Sequence, residues 1–236
     1  MKLSIAATTA LASVAAAAPS SLESRQAGGG TCFVFARGST EPSPIGIIIG
    51  PALQRALLSK IPGMKTIPVA YAASIMTNIS IQRTDAASIQ KGHDAFKQAA
   101  GCGIIIAGGY SQGAAVMHNV VPKLDAAIKS KLVGVALFGD TRNKQDSGHI
   151  PGFPTGKSKV WCNPSDGVCG GGLNVNGGHL SYSSASINEA ATWLANLVKG
   201  GVGAGGEEGA APAAAPKMPK MPKMPKSTAP AAEAAA

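Results

Sequence analysis

A serine flanked by glycines constrains the fold of this chain more than any other sequence feature. Ser111 stands between Gly109 and Gly113, directly after an apolar run with three consecutive isoleucines and directly before a segment with helical periodicity. A turn this tight between a buried strand and a helix excludes neighbouring side chains, which explains the glycine two residues to either side. The pattern predicts an exposed hydroxyl at a helix N-terminus, where backbone N–H groups can stabilise a negatively charged oxygen.

Predicted strands and helices alternate on both sides of this turn. The strands are predicted at residues 32–35, 66–70, 103–107, 131–138 and 160–162, and the helices at residues 50–60, 84–100, 114–128 and 187–198. The strands are apolar on both faces, which is typical of a parallel sheet covered by helices on each side. The sequence therefore predicts an α/β domain, a three-layer sandwich with a largely parallel central sheet.

The two ends of the chain differ in composition from the middle. Residues 1–18 combine Lys2, an apolar stretch and small residues in the order of a secretory signal peptide. We interpret residues 19–28 as a pro-segment, and residues 200–236, rich in Gly, Ala, Pro, Lys and Met, as a disordered tail. The folded domain is then expected at residues 29–199, and the protein is expected to be secreted and extracellular.

The predicted export of the protein determines how its four cysteines are interpreted. In an oxidising compartment they are expected to form two disulfides rather than to bind a metal. Three connectivities are possible for four cysteines. Only six residues separate Cys162 from Cys169, which favours a local bridge and leaves Cys32 to pair with Cys102.

Composition and charge argue against several classes of function. Outside the N-terminus, no apolar run reaches the roughly 18 residues of a membrane span. The formal net charge is +9, but the basic residues are scattered and only 4% of all residues are aromatic, so little is available to stack on bases. We therefore expect no transmembrane segment and no nucleic-acid partner.

A serine nucleophile needs a base, and three histidines follow Ser111 along the chain. In folds with this turn, the catalytic residues occur in the order serine, acid, histidine. His118 lies two turns into the helix after the serine, which carries it away from the hydroxyl, and His149 lies in a polar loop. His179 follows two glycines and precedes the last helix, so it is the predicted general base.

Two aspartates compete for the role of the acid that orients this histidine. Asp140 follows a predicted strand, and Asp166 lies between Cys162 and Cys169. A carboxylate that holds an imidazole in one tautomer benefits from a rigid loop, which the local disulfide would supply. Asp166 is therefore the predicted acid, and Asp140 is interpreted as a solvent-facing or loop-capping residue.

Three segments resemble the cutinases, secreted serine esterases whose close relatives include the acetylxylan esterases. Residues 35–41 read Phe-Ala-Arg-Gly-Ser-Thr-Glu, residues 108–113 read Gly-Gly-Tyr-Ser-Gln-Gly, and residues 162–179 contain two cysteines, the acid, several glycines and the histidine at family spacing. The resemblance covers nearly all of residues 31–199. It implies an α/β-hydrolase fold of the cutinase type.

By this resemblance, Ser111 is the nucleophile, His179 the general base and Asp166 the orienting acid. The oxyanion hole would consist of Ser39 and the backbone N–H of Gln112, and no cofactor or metal would be needed. The implied function is hydrolysis of carboxylic esters through an acyl-enzyme, with cutin-type polyesters as the favoured substrate. An acetylxylan or other short-chain esterase is the alternative, and a non-catalytic surface protein on the same fold is a remote one.

Members of the family bind acyl chains between two apolar loops, which here would be residues 73–81 and 173–180. The residues predicted to bind substrate are Ile75, Met76, Ile79, Ile81, Leu173, Val175 and Leu180. Asn78 begins an Asn-Ile-Ser sequon and is a candidate N-glycosylation site. The expected partner is a polyester or lipid-like ester, and the protein is expected to be a monomer.

Overall fold

The computed structural model describes residues 29–203 of the 236-residue chain. The predicted signal peptide, the predicted pro-segment up to residue 28 and the predicted tail from residue 204 onward lie outside the described residues. The last described helix continues to Gly203, four residues beyond the predicted end of the domain. None of the helices within the described residues has both the length and the apolar character needed to cross a membrane.

A parallel sheet of five strands forms the centre of the described chain. The strands are β1 (Thr31–Ala36), β2 (Lys65–Pro68), β3 (Ile104–Tyr110), β4 (Leu132–Phe138) and β5 (Ser158–Trp161). Their spatial order is β2-β1-β3-β4-β5, and every neighbouring pair is parallel. All residues of β3 and β4 are buried, so the continuous apolar runs that predicted these strands reflect burial on both faces of the sheet.

Helices cover both faces of this sheet. They are α1 (Gly50–Lys60), α2 (Ala86–Gln98), α3 (Gln112–Val120), α4 (Ala126–Lys129), α5 (Gly177–Leu180) and α6 (Ser184–Gly203). Phe33 and Phe35 of β1 pack with α1 and α6 on one face, whereas Val34 packs with α2 and α3 on the other. This alternation follows from the period of two along a strand, and it produces the predicted three layers.

The segment predicted as one helix over residues 114–128 is divided in the structure. Helix α3 begins two residues earlier and ends at Val120, a 3-10 turn follows at Val121–Lys123, and α4 is a separate short helix. Pro122 lies in this turn and has no N–H to donate to the preceding turn of a continuous helix. The prediction of a single helix was therefore wrong at that proline.

Both predicted disulfides are present. Cys32 of β1 is bonded to Cys102, with 6.0 Å between their Cα atoms, and this bridge joins β1 to the segment that leads into β3. Cys162 is bonded to Cys169, with a Cα–Cα distance of 6.1 Å. The second bridge closes the short loop that contains Asp166.

Helix α3 approaches β1 closely at Gly113, and this contact generates a prediction. A Cβ atom at Gly113 would lie 2.0 Å from the carbonyl oxygen of Ala36. We expect Gly113→Ala to lower the free energy of unfolding by about 3 kcal/mol, because two backbones would have to move apart in a packed interior. The matched control is Gly156→Ala, where an added Cβ would meet nothing within 4 Å. Thermal unfolding compares the variants, and equal loss in both would contradict this account.

Candidate active site

Ser111 occupies the turn between β3 and α3 in a strained backbone conformation. Its φ is 55° and its ψ is −120°, in the region that residues with a side chain rarely adopt. Its N–H donates to the carbonyl oxygen of Phe138 at 2.9 Å. The residue is only 7% exposed, so the hydroxyl is reached through a cavity rather than standing free on the surface as the turn alone suggested.

His179 and Asp166 lie beside this serine in a continuous hydrogen-bonded series. Nε2 of His179 is 3.0 Å from Oγ of Ser111. Nδ1 of the same ring is 2.9 Å from Oδ2 and 3.0 Å from Oδ1 of Asp166. The structure therefore brings together the three residues predicted as nucleophile, base and acid. In this arrangement the imidazole can accept the serine proton while the carboxylate holds the ring in place.

Asp166 is held as a carboxylate by several donors. The hydroxyl of Tyr182 donates to Oδ2 at 2.7 Å, and the N–H of Val168 donates to Oδ1 at 2.8 Å. Burial acts to raise the pKa of Asp166, but the hydrogen bonds from His179, Tyr182 and Val168 outweigh it and hold that pKa below its ordinary value. Tyr182 was not predicted from the sequence, although it lies only three residues after His179.

The position of His179 is fixed by contacts to its ring and its backbone. The ring of Tyr110 stacks on the imidazole with 5.1 Å between centroids, and the Tyr110 hydroxyl donates to the carbonyl oxygen of His179 at 2.7 Å. A Cβ at Gly139 would lie 2.6 Å from Cε1 of the imidazole, so only glycine leaves room for the ring there. Asn176 caps helix α5 by accepting from the N–H of His179 at 3.1 Å.

Ser39 and Gln112, the residues predicted for the oxyanion hole, are in contact. Oγ of Ser39 donates to Oε1 of Gln112 at 2.8 Å. Nε2 of Gln112 donates to the hydroxyls of Thr77 and Thr84, which fixes the side chain. The backbone N–H of Gln112 is the first of helix α3, and such groups have no acceptor within their own helix. This N–H is therefore a suitable donor to a developing oxyanion, and the Ser39 hydroxyl can join it when its single proton turns from Oε1 of Gln112 toward that oxygen.

Asn78 belongs to the same group of polar residues and is not suited to glycosylation. Its Nδ2 donates to Oγ of Ser39 at 2.8 Å, and the residue is only 7% exposed. A glycan would have to be attached at this same nitrogen, so the structure argues against the predicted modification. Asn78 lies in the short 3-10 helix Ile75–Ile79 and lines two cavities that Ser111 also lines, which the sequon itself does not reveal.

His118 and Asp140 form a second His–Asp pair, separate from the first. Nε2 of His118 is 2.8 Å from Oδ2 of Asp140, and Nδ1 is 2.7 Å from Oδ2 of Asp146, although this second contact lacks hydrogen-bond alignment. Asp140 is fully buried rather than solvent-facing, and it caps its loop by accepting from the N–H of Arg142 at 2.9 Å. Both nitrogens of His118 face carboxylates, so neither faces Ser111.

Two apolar cavities adjoin Ser111. The Ile47 cavity, of about 240 Å³, is lined by His179 and by apolar side chains that include Pro42, Ile47, Ile48, Val175 and Leu180. The Ile79 cavity, of about 210 Å³, is lined by residues that include Ile75, Met76, Ile79, Thr141, Val168 and Leu173. Six of the seven predicted substrate-binding residues line one cavity or the other. Ile81 lines neither and is strongly exposed.

A family comparison identifies the chain. A protein-family model described as cutinase matches residues 28–198, which is more than half of the sequence. The chain belongs to the cutinase family. A probable cutinase 3 from Neosartorya fischeri is 40% identical over 208 residues, which cover 80% of this chain and 95% of that protein. A cutinase 2 from Fusarium vanettenii is 37% identical over 220 residues, which cover 81% and 95% of the two chains.

Solved structures agree with this membership of the cutinase family. A Trichoderma reesei cutinase in complex with a phosphonate inhibitor is 29% identical, with a TM-score of 0.61, and the match covers 72% of this chain and 78% of that one. An acetylxylan esterase that is 19% identical shares the fold with a TM-score of 0.60, over 72% and 99% of the two chains. The predicted α/β-hydrolase fold is confirmed, and the protein is a carboxylic ester hydrolase.

The two aspartates can be separated by substitution. Asp166→Asn is expected to lower kcat on a soluble ester on the order of 10³- to 10⁴-fold, because the amide favours the wrong imidazole tautomer. Asp140→Asn is expected to leave kcat within about tenfold but to lower the free energy of unfolding by about 3 kcal/mol, because it disrupts a buried pair. Steady-state kinetics and thermal unfolding measure both effects, and the reverse pattern would assign the acid to position 140.

Tyr182→Phe tests the donor that holds Asp166. Without the hydroxyl, Asp166 loses one of the hydrogen bonds that hold its pKa below the ordinary value, so its pKa rises and the carboxylate that orients the imidazole is lost at higher pH. We expect the acid limb of the kcat/KM profile to move upward by about half a pH unit. Tyr71→Phe is the matched control, because the Tyr71 hydroxyl donates to the carbonyl oxygen of Arg37 instead. An unchanged acid limb in Tyr182→Phe, or an equal shift in both variants, would refute this role.

Proposed function

We propose that this cutinase-family esterase is secreted and hydrolyses cutin-type polyesters through an acyl-enzyme formed on Ser111. The observation that carries the proposal is the hydrogen-bonded series from Ser111 through His179 to Asp166, which lies where two apolar cavities meet. Exposed hydroxyls and histidines are common in proteins. An aligned series that opens into apolar space is what hydrolysis of a hydrophobic ester requires.

The first half of the reaction forms the acyl-enzyme. Nε2 of His179 removes the proton from Oγ of Ser111 as that oxygen attacks the carbonyl carbon of the ester. The carbonyl oxygen becomes negatively charged and is stabilised by the N–H of Gln112 and the hydroxyl of Ser39. The ester bond then breaks, and the leaving alkoxide takes this proton from Nε2 of His179. The product alcohol then departs.

The second half releases the acid. His179 removes a proton from a water molecule, whose oxygen attacks the acyl carbon, and Oγ of Ser111 leaves with the proton that His179 returns. Asp166 stays a carboxylate throughout. Its low pKa and its contacts to Tyr182 and Val168 keep its charge in place, so it stabilises the imidazolium that forms twice in each cycle.

The apolar surroundings favour a polyester or another long-chain ester over an acetyl ester. An acetyl group is small and would leave most of either cavity unused, whereas an aliphatic chain would remove apolar surface from water at about 25 cal/mol per Å². Several isoleucines at the mouth of the site are also exposed, which is typical of a surface that meets an apolar partner. A short-chain esterase remains the second candidate, because the same chemistry would act on an acetyl ester.

Export from the cell is part of the proposal. Two disulfides within the described residues fit an oxidising compartment, as does the signal-peptide pattern in residues 1–18. The remote alternative of a non-catalytic surface protein on the same fold has little support, because no member of the hydrogen-bonded series is missing.

Ser111→Ala tests the proposal. We expect kcat on a p-nitrophenyl ester to fall by at least about 10⁴-fold, because the covalent route is lost while the core is unchanged. A phosphonate ester should add its mass to the wild-type protein at Ser111 and not to the variant. Residual activity above a hundredth of wild type would refute the nucleophile. Release of aliphatic monomers from cutin, compared with release of acetate from acetylated xylan, ranks the two candidate substrates.

A further inference from the structure

The two cavities that meet at Ser111 differ in their relation to His179. They share Ile75, Asn78, Ser111 and Val175, which form the ridge between them. The imidazole of His179 forms part of the wall of the Ile47 cavity but not of the Ile79 cavity. A part of the substrate in the Ile47 cavity therefore lies beside His179, whereas a part in the Ile79 cavity does not.

The geometry of the tetrahedral intermediate assigns each cavity to one end of the ester. The reacting carbon carries Oγ of Ser111, the oxyanion, the acyl chain and the oxygen of the alcohol. The oxyanion points to Gln112 and Ser39. The alcohol oxygen must lie within hydrogen-bond reach of Nε2 of His179, because that nitrogen returns the proton as the bond breaks. The alcohol therefore leaves on the side of the Ile47 cavity, and the acyl chain lies in the Ile79 cavity.

Hydrogen bonds fix the backbone of the segment that forms the Ile47 cavity. The carboxylate of Glu41, which is only 8% exposed, accepts from the N–H groups of Ile47 at 2.9 Å and Ile48 at 2.8 Å. Its other oxygen accepts from the N–H of Gly38 at 2.6 Å, directly before Ser39. One buried carboxylate therefore orients both the predicted oxyanion donor and the isoleucines that line the cavity.

We propose that the Ile47 cavity is the binding site for the alcohol part of the ester, and that it takes an aliphatic alcohol rather than a sugar hydroxyl. This inference rests on the proposed acyl-enzyme mechanism. Its apolar wall, formed by Pro42, Ile47, Ile48 and Leu180, offers contact to methylene groups. With apolar cavities on both sides of the reacting carbon, the preferred ester is aliphatic at both ends, as in a polyester chain.

Acyl transfer isolates the alcohol site from the acyl site. When an added alcohol replaces water, its oxygen attacks the acyl carbon, His179 takes its proton, and Oγ of Ser111 leaves with that proton. The alcohol then occupies the same cavity from which the leaving alcohol departed. p-Nitrophenyl butyrate with equal concentrations of 1-hexanol and ethanol therefore reports the preference of this cavity as the ratio of hexyl butyrate to ethyl butyrate formed.

The matched variants are Ile47→Ser and Ile79→Ser, since the two isoleucines are 71% and 74% exposed and neither is a core residue. Ile47→Ser is expected to lower the hexanol-to-ethanol preference by about three- to tenfold. Ile79→Ser is expected to leave that ratio within about twofold and to lower the preference for p-nitrophenyl decanoate over butyrate by about three- to tenfold. Leu58→Ser, at an exposed residue that lines neither cavity, should change neither ratio.

Each other outcome overturns the inference. If Ile79→Ser alters the alcohol preference and Ile47→Ser does not, the two cavities are assigned the wrong way round. If neither variant alters it, the Ile47 cavity does not bind the alcohol. Failure of the proposed function is recognised separately, because Ser111→Ala would then remain active and the wild-type protein would transfer no acyl group to either alcohol.

Discussion

The tight turn at Ser111 is the constraint on which the rest of the site depends. A positive φ at a residue with a side chain costs about 1–3 kcal/mol and persists only where the surrounding structure holds it. Here β3 pairs with β4 as far as Tyr110, and the N–H of Ser111 extends that pairing to the carbonyl oxygen of Phe138. Gly109 and Gly113 allow α3 to begin directly against the strand. The buried centre of the sheet thus offsets the strain, and the hydroxyl is positioned before any substrate binds.

Two His–Asp pairs in one domain show that the pair alone does not define a catalytic site. His179 and His118 each lie within hydrogen-bond distance of a buried aspartate. They differ in what the other ring nitrogen meets. Nε2 of His179 meets the hydroxyl of Ser111, from which it can take a proton and to whose oxygen it can return one. Nδ1 of His118 instead meets a second carboxylate, that of Asp146. The first arrangement permits proton transfer to a substrate, and the second joins α3 to the loop after β4.

The sequence predicted features that are encoded within one short segment. The apolar runs of β3 and β4 and the turn at Ser111 are local patterns. The order of residues after Ser111 and the loop between Cys162 and Cys169 indicated His179 and Asp166, and the resemblance to the cutinases implied the same two residues. Most side-chain hydrogen bonds between distant segments could not be predicted, because no local pattern records them. The Cys32–Cys102 bridge and the Ser111–His179 pair are exceptions, which the pairing of four cysteines and the order of catalytic residues indicated. The bond from Asn78 to Ser39 joins residues 39 positions apart, so a sequon alone suggested a surface asparagine. The Ile47 cavity was missed for the same reason, although its run of isoleucines is visible in the sequence.

The exposed isoleucines at the site are supported by buried polar contacts. Apolar side chains on mobile loops would tend to collapse over the serine, since that would remove them from water. Here the N–H groups of Ile47 and Ile48 are held by Glu41, and the 3-10 helix Ile75–Ile79 is held through the contacts of Thr77 and Asn78 with Gln112 and Ser39. The backbone entropy of these segments is therefore already lost when the protein folds. An apolar chain that enters either cavity gains contact area without having to order the walls, and preorganised sites of this kind bind with less opposing entropy.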